Sequence, residues 1–114
     1  LFAQRELKRG KRYDAIVLDP PAFGHSPTGK TWRVERDLKP LLEDCISLLS
    51  DQPSFLVLNG YAKNDTPDSF HRLLSGILHT KKPGLQFTIE ASELILQAQD
   101  GRRLSTGIVG RCMF

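Results

Sequence analysis

The chain is short of the residues that mark several functional classes. Two cysteines in 114 residues, Cys45 and Cys112, are too few for the disulfide framework of a small secreted domain. Each lies among apolar neighbours, where a buried free thiol is the expectation, and a reducing cytoplasm follows from it. No stretch approaches the ~18 consecutive apolar residues of a membrane-spanning helix, so no membrane partner is expected. No Cys/His spacing suggests zinc, and no nucleophile-elbow pattern joins a serine to a histidine and a carboxylate, so no metal is expected. Leu1-Phe2-Ala3-Gln4-Arg5-Glu6 has neither an initiator Met nor the basic-then-apolar layout of a secretory signal. The expectation is a chain that begins inside a longer protein. The sequence contains no internal repeat and no low-complexity tract.

What is present suits one small globular domain or a piece of a larger one, with 39% hydrophobic and 25% charged residues. The net charge of +3 permits a nucleic-acid partner without requiring one. Its distribution is uneven: Arg5, Lys8, Arg9, Lys11 and Arg12 crowd the first twelve residues, opposed only by Glu6. Such a cluster is either a solvated helix end or a phosphate-binding patch.

The order of elements is readable from local signals. Residues 1–9 suit the end of a helix, with Gly10 as its stop. Tyr13-Asp14-Ala15-Ile16-Val17-Leu18-Asp19 is a short apolar run without alternation, which predicts a strand buried on both faces, ended by Pro20-Pro21. A loop with Gly24, Pro27 and Gly29 leads to a helix expected to begin at Asp37 as N-cap, with Pro40 in the first turn. Leu38, Leu41, Leu42, Cys45, Ile46 and Leu49 form its apolar face. Phe55-Leu56-Val57-Leu58 predicts a second buried strand, ending at Asn59-Gly60. Thr66-Pro67-Asp68 opens another helix, whose face is Phe70, Leu73, Leu74, Ile77 and Leu78. Leu85, Phe87 and Ile89 alternate with polar residues, Leu94-Ile95-Leu96 comes next, and Asp100-Gly101 supplies a turn before a terminal strand through Ile108-Val109 and Cys112. The expected class is α/β in the order β-α-β-α-β-β, parallel first and antiparallel last.

Open α/β sheets bind ligands at the carboxyl ends of their strands, which here means Asp19-Pro20-Pro21-Ala22-Phe23-Gly24. Two prolines stiffen the chain and leave carbonyls without competing local N–H donors. Asp19 adds a carboxylate at the strand tip, and Phe23 adds a flat apolar face. Together they could grip an aromatic ring bearing an exocyclic amine, with the ring on Phe23 and the amine hydrogens on Asp19 and a proline carbonyl. That grip would aim the nitrogen lone pair at an electrophile. Taken alone, the same residues could equally make a proline-stiffened turn with a capping Asp.

Leu18-Asp19-Pro20-Pro21-Ala22-Phe23 resembles motif IV, the (D/N)PP(Y/F/W)-type signature of class I, Rossmann-like S-adenosylmethionine-dependent methyltransferases. Its spacer Ala22 makes it similar to the DPPxF form of the branch that includes large-subunit ribosomal RNA methyltransferases. Lys8–Asp14, the Gly24–Trp32 loop, Phe55–Ala62 and the tail through Arg102-Arg103-Leu104 also look like that branch. The resemblance covers essentially the whole chain, and the order of elements matches strands four to seven of the family fold. It implies that residues 1–114 are the C-terminal half of a methyltransferase domain, without the glycine-rich cofactor turn. It implies S-adenosyl-L-methionine as cofactor, with Leu18, Asp19 and Pro20 at the methyl-donor end. Asp19, Pro20, Pro21 and Phe23 would be the catalytic group, with Phe23 against the substrate. Read from their place in the loop alone, His25 either contacts substrate or is an exposed loop histidine, and Trp32 either stacks on a substrate base or packs the loop against the next helix. An RNA such as ribosomal RNA is the implied partner. A covalent route to cytosine C5 needs a cysteine nucleophile. The family's cysteine positions hold Ala22 and Asn59-Gly60-Tyr61-Ala62 here, so transfer to a base nitrogen suits the chain better. The isolated chain is expected to be inactive and, with Ala15–Leu18 as an unpaired sheet edge, to self-associate.

Two other readings remain at this level. One is a non-catalytic RNA-binding or interaction module that keeps the same fold. The other rests on Gly24-His25-Ser26-Pro27-Thr28-Gly29-Lys30-Thr31, which matches the phosphate-loop pattern GxxxxGK[ST] letter for letter. Against it, Pro27 removes an amide from the cradle, the clear helix start lies later, and the next apolar strand ends in Asn59 rather than Asp.

Overall fold

A computed structural model describes residues 2–20, 23–25, 31–60 and 65–114, with the backbone alone at 23–25, 31–35 and 105. In chain order the described elements are α1 (Phe2–Lys8), β1 (Ala15–Leu18), β2 (Phe23–His25), β3 (Thr31–Arg33), α2 (Val34–Ser47), β4 (Phe55–Gly60), α3 (Pro67–Lys81), β5 (Thr88–Gln97) and β6 (Arg103–Met113). Four strands make one sheet in the order β1-β4-β6-β5, and β2 and β3 make a separate hairpin. β1 runs parallel to β4, from Ala15 opposite Phe55 to Leu18 opposite Leu58. β6 is antiparallel to both β4 and β5. The parallel-then-antiparallel α/β arrangement read from the sequence is therefore the one that forms.

α3 starts where its local signals say. Thr66 caps it, its hydroxyl accepting from the Ser69 amide while the Ser69 hydroxyl accepts from the Thr66 amide, and Pro67 takes the first helical position. α2 departs from expectation. It begins at Val34, not after an Asp37 cap, and Pro40 is its seventh residue rather than part of its first turn. Pro40 offers no N–H to the Arg36 carbonyl, and the helix continues because Leu38 and Leu42, on either side, are both buried in the core. Asp37 lies beside Arg36 instead, accepting from its guanidinium at 2.8 and 3.0 Å.

The core lies between the helices and one face of the sheet. Leu42, Ile46 and Leu49 from the α2 region and Phe70, Leu74 and Leu78 from α3 meet Leu56, Leu58, Ile108 and Cys112, and Ile16 and Leu18 pack against the same cluster. Side chains of that size each contribute roughly 1.5–3 kcal/mol when fully buried. α1 adds Ala3 against Cys45 and Leu48, and Leu7, Ile16 and Leu18 pack there too. The described helices α1, α2 and α3 thus cover the same face.

The other face is bare among the described residues, which corrects the expectation that β1 and β4 are buried on both sides. Val17 is 64% exposed and Phe55 40% exposed, and Ala15 is exposed as well. An unalternating apolar run reports two faces that suit burial; it does not report what covers them. The molecule is correspondingly flat, 51 × 39 × 21 Å, about the depth of one helix layer on one sheet. Its radius of gyration of 15.2 Å exceeds the roughly 13 Å of a compact domain this long.

Candidate functional site

Leu18 anchors the end of β1 by packing into both clusters beneath the sheet. The next residue, Asp19, is exposed, and Pro20 is half-buried. Among the described residues, the Asp19 carboxylate has no hydrogen bond or ion pair, so it is free to receive a donor. The pairing of Leu18 with Leu58 carries Asp19 alongside Asn59, at the carboxyl end of β4. Asn59 is half-buried and Gly60 buried. The tip of β1 and the end of β4 therefore form one acceptor-rich ledge at the edge of the bare face. The sequence marks Asn59 as the end of a strand; its place beside Asp19 comes from the register.

The remaining expected site residues come directly after β1. Phe23 and His25 lie in β2 and Trp32 in β3, with Phe23 opposite Arg33, Gly24 opposite Trp32 and His25 opposite Thr31. Pro21 lies outside the described residues, as do the side chains of Phe23, His25 and Trp32. The hairpin corrects one expectation, since the segment is not a plain loop, and it agrees with another, since the phosphate-loop pattern does not open a helix. Gly24 and Thr31 both belong to paired strands, and the next helix begins at Val34. A phosphate loop requires a cradle of amides at a helix N-terminus immediately after its Gly-Lys-Thr, and here a strand takes that place.

The basic cluster lies at the opposite end of the sheet. α1 ends at Lys8, the Lys11 amide donates to the Glu6 carbonyl, and the Tyr13 amide donates to the Leu48 carbonyl before β1 begins. Arg9 stands 3.6 Å from Glu6. These cations do not border Asp19.

Other candidates have structural roles. Cys45 and Cys112 are buried free thiols, as expected. The His79 ring meets Phe87 edge-on, 5.1 Å between centroids, and His71 is exposed. Among the described residues no cluster of three His, Cys, Asp or Glu side chains could hold a metal, and no helix is long and apolar enough to cross a membrane. A cavity of about 340 Å³ lies between α2 and α3, lined by Lys39, Glu43, Arg72 and Ile77, away from Asp19.

No family model and no curated protein matches the chain. Solved structures do. The SAM-dependent methyltransferase from Agrobacterium tumefaciens is 32% identical and superposes with a TM-score of 0.86, over 98% of this chain and 36% of its own. SMU.776, a candidate methyltransferase crystallised with SAH, is 15% identical with a TM-score of 0.68, over 99% of this chain and 29% of its own. The complex of M1.HpyAVI with SAM is 11% identical with a TM-score of 0.56, over 98% of this chain and 48% of its own. The chain thus spans between 29% and 48% of these proteins' own lengths. Its fold is that of part of a Rossmann-like methyltransferase domain.

Proposed function

We propose that this chain is the C-terminal half of a class I S-adenosylmethionine-dependent methyltransferase domain, and that the whole domain methylates RNA, ribosomal RNA being the first candidate, at a base nitrogen. The observation that carries the reading is the Asp19 carboxylate, unpartnered among the described residues, beside Pro20 at the carboxyl end of β1, next to a sheet face and edge that no described residue covers. A parallel sheet is ordinarily covered on both faces. The bare face is where the remainder of the domain would pack, and β1 is the strand to which it would add.

The residues present fit one wall of an S-adenosylmethionine site. The Asp19 carboxylate and the carbonyls of Leu18 and Pro20 are acceptors, and Pro20 has no N–H, which suits a cationic donor. S-adenosylmethionine supplies an electrophilic methyl group on a sulfonium. At this ledge Asp19 and the Pro20 carbonyl would accept the two hydrogens of an exocyclic amine, turning its lone pair towards that methyl. The methyl would come from that sulfonium, and Asp19 would take up the proton that the amine gives up or pass it to water. Pro20 and Pro21 would hold the turn rigid, and Phe23 would support the ring.

The test is transfer of labelled methyl to RNA by the intact protein, with Asp19→Asn beside the parent. The expected loss is at least about 100-fold in kcat, the scale of one positioned proton acceptor. Stability should change by no more than ~0.5 kcal/mol, because Asp19 is exposed and unpartnered among the described residues. A loss under about threefold would remove Asp19 from the mechanism. Label found in protein instead of RNA would overturn the substrate.

A further inference from the structure

β5 and β6 are longer than the sheet they belong to. The last contact of β4 with β6 pairs Gly60 with Ile108, yet β6 continues back to Arg103, paired among the described residues with β5 alone. Five further residues at ~3.3 Å each carry this hairpin about 16 Å past the end of β4. The direction is set by the register: β1 and β4 are both antiparallel to β6, so the hairpin projects from the end of the sheet that holds Asp19 and Asn59. It extends past that end of the sheet, two strands across from β1.

The arm is a built element. A bulge between Leu94 and Ile95 marks its root, where the Thr106 hydroxyl donates to the Leu94 carbonyl at 3.1 Å. At the tip the Ala98 amide donates to the Arg102 carbonyl at 2.7 Å, the Gly101 amide to the Ala98 carbonyl, and the Arg102 amide to the Asp100 side chain. Gly101 takes the positive φ of 88° that the turn needs.

Its surface is unusual for an exposed hairpin. Leu96 and Leu104 face each other across the strands and are 62% and 64% exposed. Arg102 and Arg103 sit beside them, opposed over residues 95–106 only by Asp100, which pairs with Arg102 at 2.7 Å. Two leucines on one face are far too small for a stable protein interface, which needs on the order of 1,000 Å². They are the size of one nucleobase. We propose that the β5–β6 arm is a substrate arm for single-stranded RNA: Arg102 and Arg103 hold phosphates and the Leu96–Leu104 pair supports one unstacked base. This rests on the RNA reading above and adds to it a minimum substrate length. With the ~16 Å extension and the two to three strand spacings of ~4.8 Å between β1 and the arm, the tip is about 20 Å from Asp19, or about six nucleotides at ~3.4 Å each.

The test compares the intact protein with Arg102→Gln/Arg103→Gln and with Leu96→Ser/Leu104→Ser, using a fluorescent single-stranded RNA of about 20 nucleotides and one of about three. The arginine variant should bind the longer RNA at least about fivefold more weakly, with the slope of log Kd against log salt reduced by roughly 1.4 for two lost phosphates. KM should rise with kcat kept, and the arginine-to-lysine pair should retain most of the binding. The leucine variant should weaken binding without changing the salt slope. The trinucleotide should be indifferent to all of them. Unchanged binding in both variants, with the parent binding normally, would overturn the arm and leave the RNA reading standing. A parent that does not bind RNA would overturn both. Loss of a protein partner, with RNA binding intact, would reassign the arm to protein recognition.

Discussion

The ring of Phe70 lies against the Cα of Gly60, so that a methyl group there would fall inside the ring's edge, with the Asp65 carboxylate 2.7 Å away on another side. Gly60 ends β4 and Phe70 is 1% exposed in the first turns of α3. This contact fixes the distance between the floor of the candidate site and the helix layer. Gly60→Ala should cost about 2–3 kcal/mol, the upper part of the overpacking range, because neither the ring nor the strand has room to yield. Gly110→Ala should also destabilise, since its Cβ would lie 2.8 Å from Leu74 Cδ1. Gly76→Ala, on the exposed side of α3 with nothing within 4 Å, should instead gain up to ~1 kcal/mol. Urea unfolding of the three variants checks the ranking. A neutral Gly60→Ala would mean that Phe70 is not held against the end of β4.

How far such contacts are legible in the sequence depends on how local their cause is. Thr66-Pro67-Asp68 announces α3 because a cap needs only its own four residues. The start of α2 does not yield to the same reasoning. Asp37 has a cap's chemistry, but it lies in the helix beside Arg36, and Pro40 is tolerated in the interior by burial on both sides. The β2–β3 hairpin has three residues per strand and no alternation, so only its pairing reveals it. Asp19 and Pro20 were recognisable as a motif, whereas Asn59's place beside them and the overhang of Leu96 and Leu104 exist only in the register. The apolar runs of β1 and β4 name faces fit for burial, and no sequence pattern says where the cover comes from.

Tyr13 donates its hydroxyl to the Glu6 carboxylate, tying α1 to the entry of β1. That hydrogen bond is the main cause of a phenol pKa raised above its ordinary value, followed by desolvation and the Glu6 charge, with Arg9 pulling it back. The unfolded chain gives up this proton near pH 10, the folded chain only at higher pH. The contribution is therefore complete below pH 10 and is lost as pH climbs through the raised folded value. Tyr13→Phe should lower the thermal midpoint at neutral pH, since it strips a donor from a carboxylate whose Oε2 already has no hydrogen-bond partner among the described residues. It should also flatten the fall in stability above about pH 10. An unchanged alkaline profile would remove Tyr13 from that fall.

The two thiols predict a chemical silence. Burial pushes Cys45 up to about 11, helped by the neighbouring Asp44 charge, and Cys112 up to about 12. At pH 8 the thiolate fraction is then roughly 0.1% and 0.01%, against roughly 10% for a thiol at 9. A thiol-specific disulfide reagent at that pH should leave the folded chain unmodified and label both residues in urea. The same shifts add a second stabilising contribution, present in full below pH 9 and lost as pH rises through about 11 and about 12. Rapid labelling of Cys112 in the native state would contradict its burial against the sheet.

The bare face and the free edge of β1 make the last prediction. Among the described residues no strand pairs with the outer side of Ala15–Leu18, and Val17 and Phe55 stand exposed above the sheet. Produced alone, the 114-residue chain should self-associate through this surface, because both a strand's hydrogen bonds and an apolar patch are unsatisfied at one place. Sedimentation at about 100 µM should show dimers or larger species, and Val17→Lys/Phe55→Lys should restore the monomer by placing charges on the patch. Leu96→Ser/Leu104→Ser should leave the association unchanged, since the arm projects from the end of the sheet and not from its bare face. Association abolished by the arm variant but not by the face variant would locate the sticky surface on the hairpin. A clean monomer for the parent chain would mean that β1's edge needs no cover, and the inference that the rest of a domain packs there would lose its physical basis.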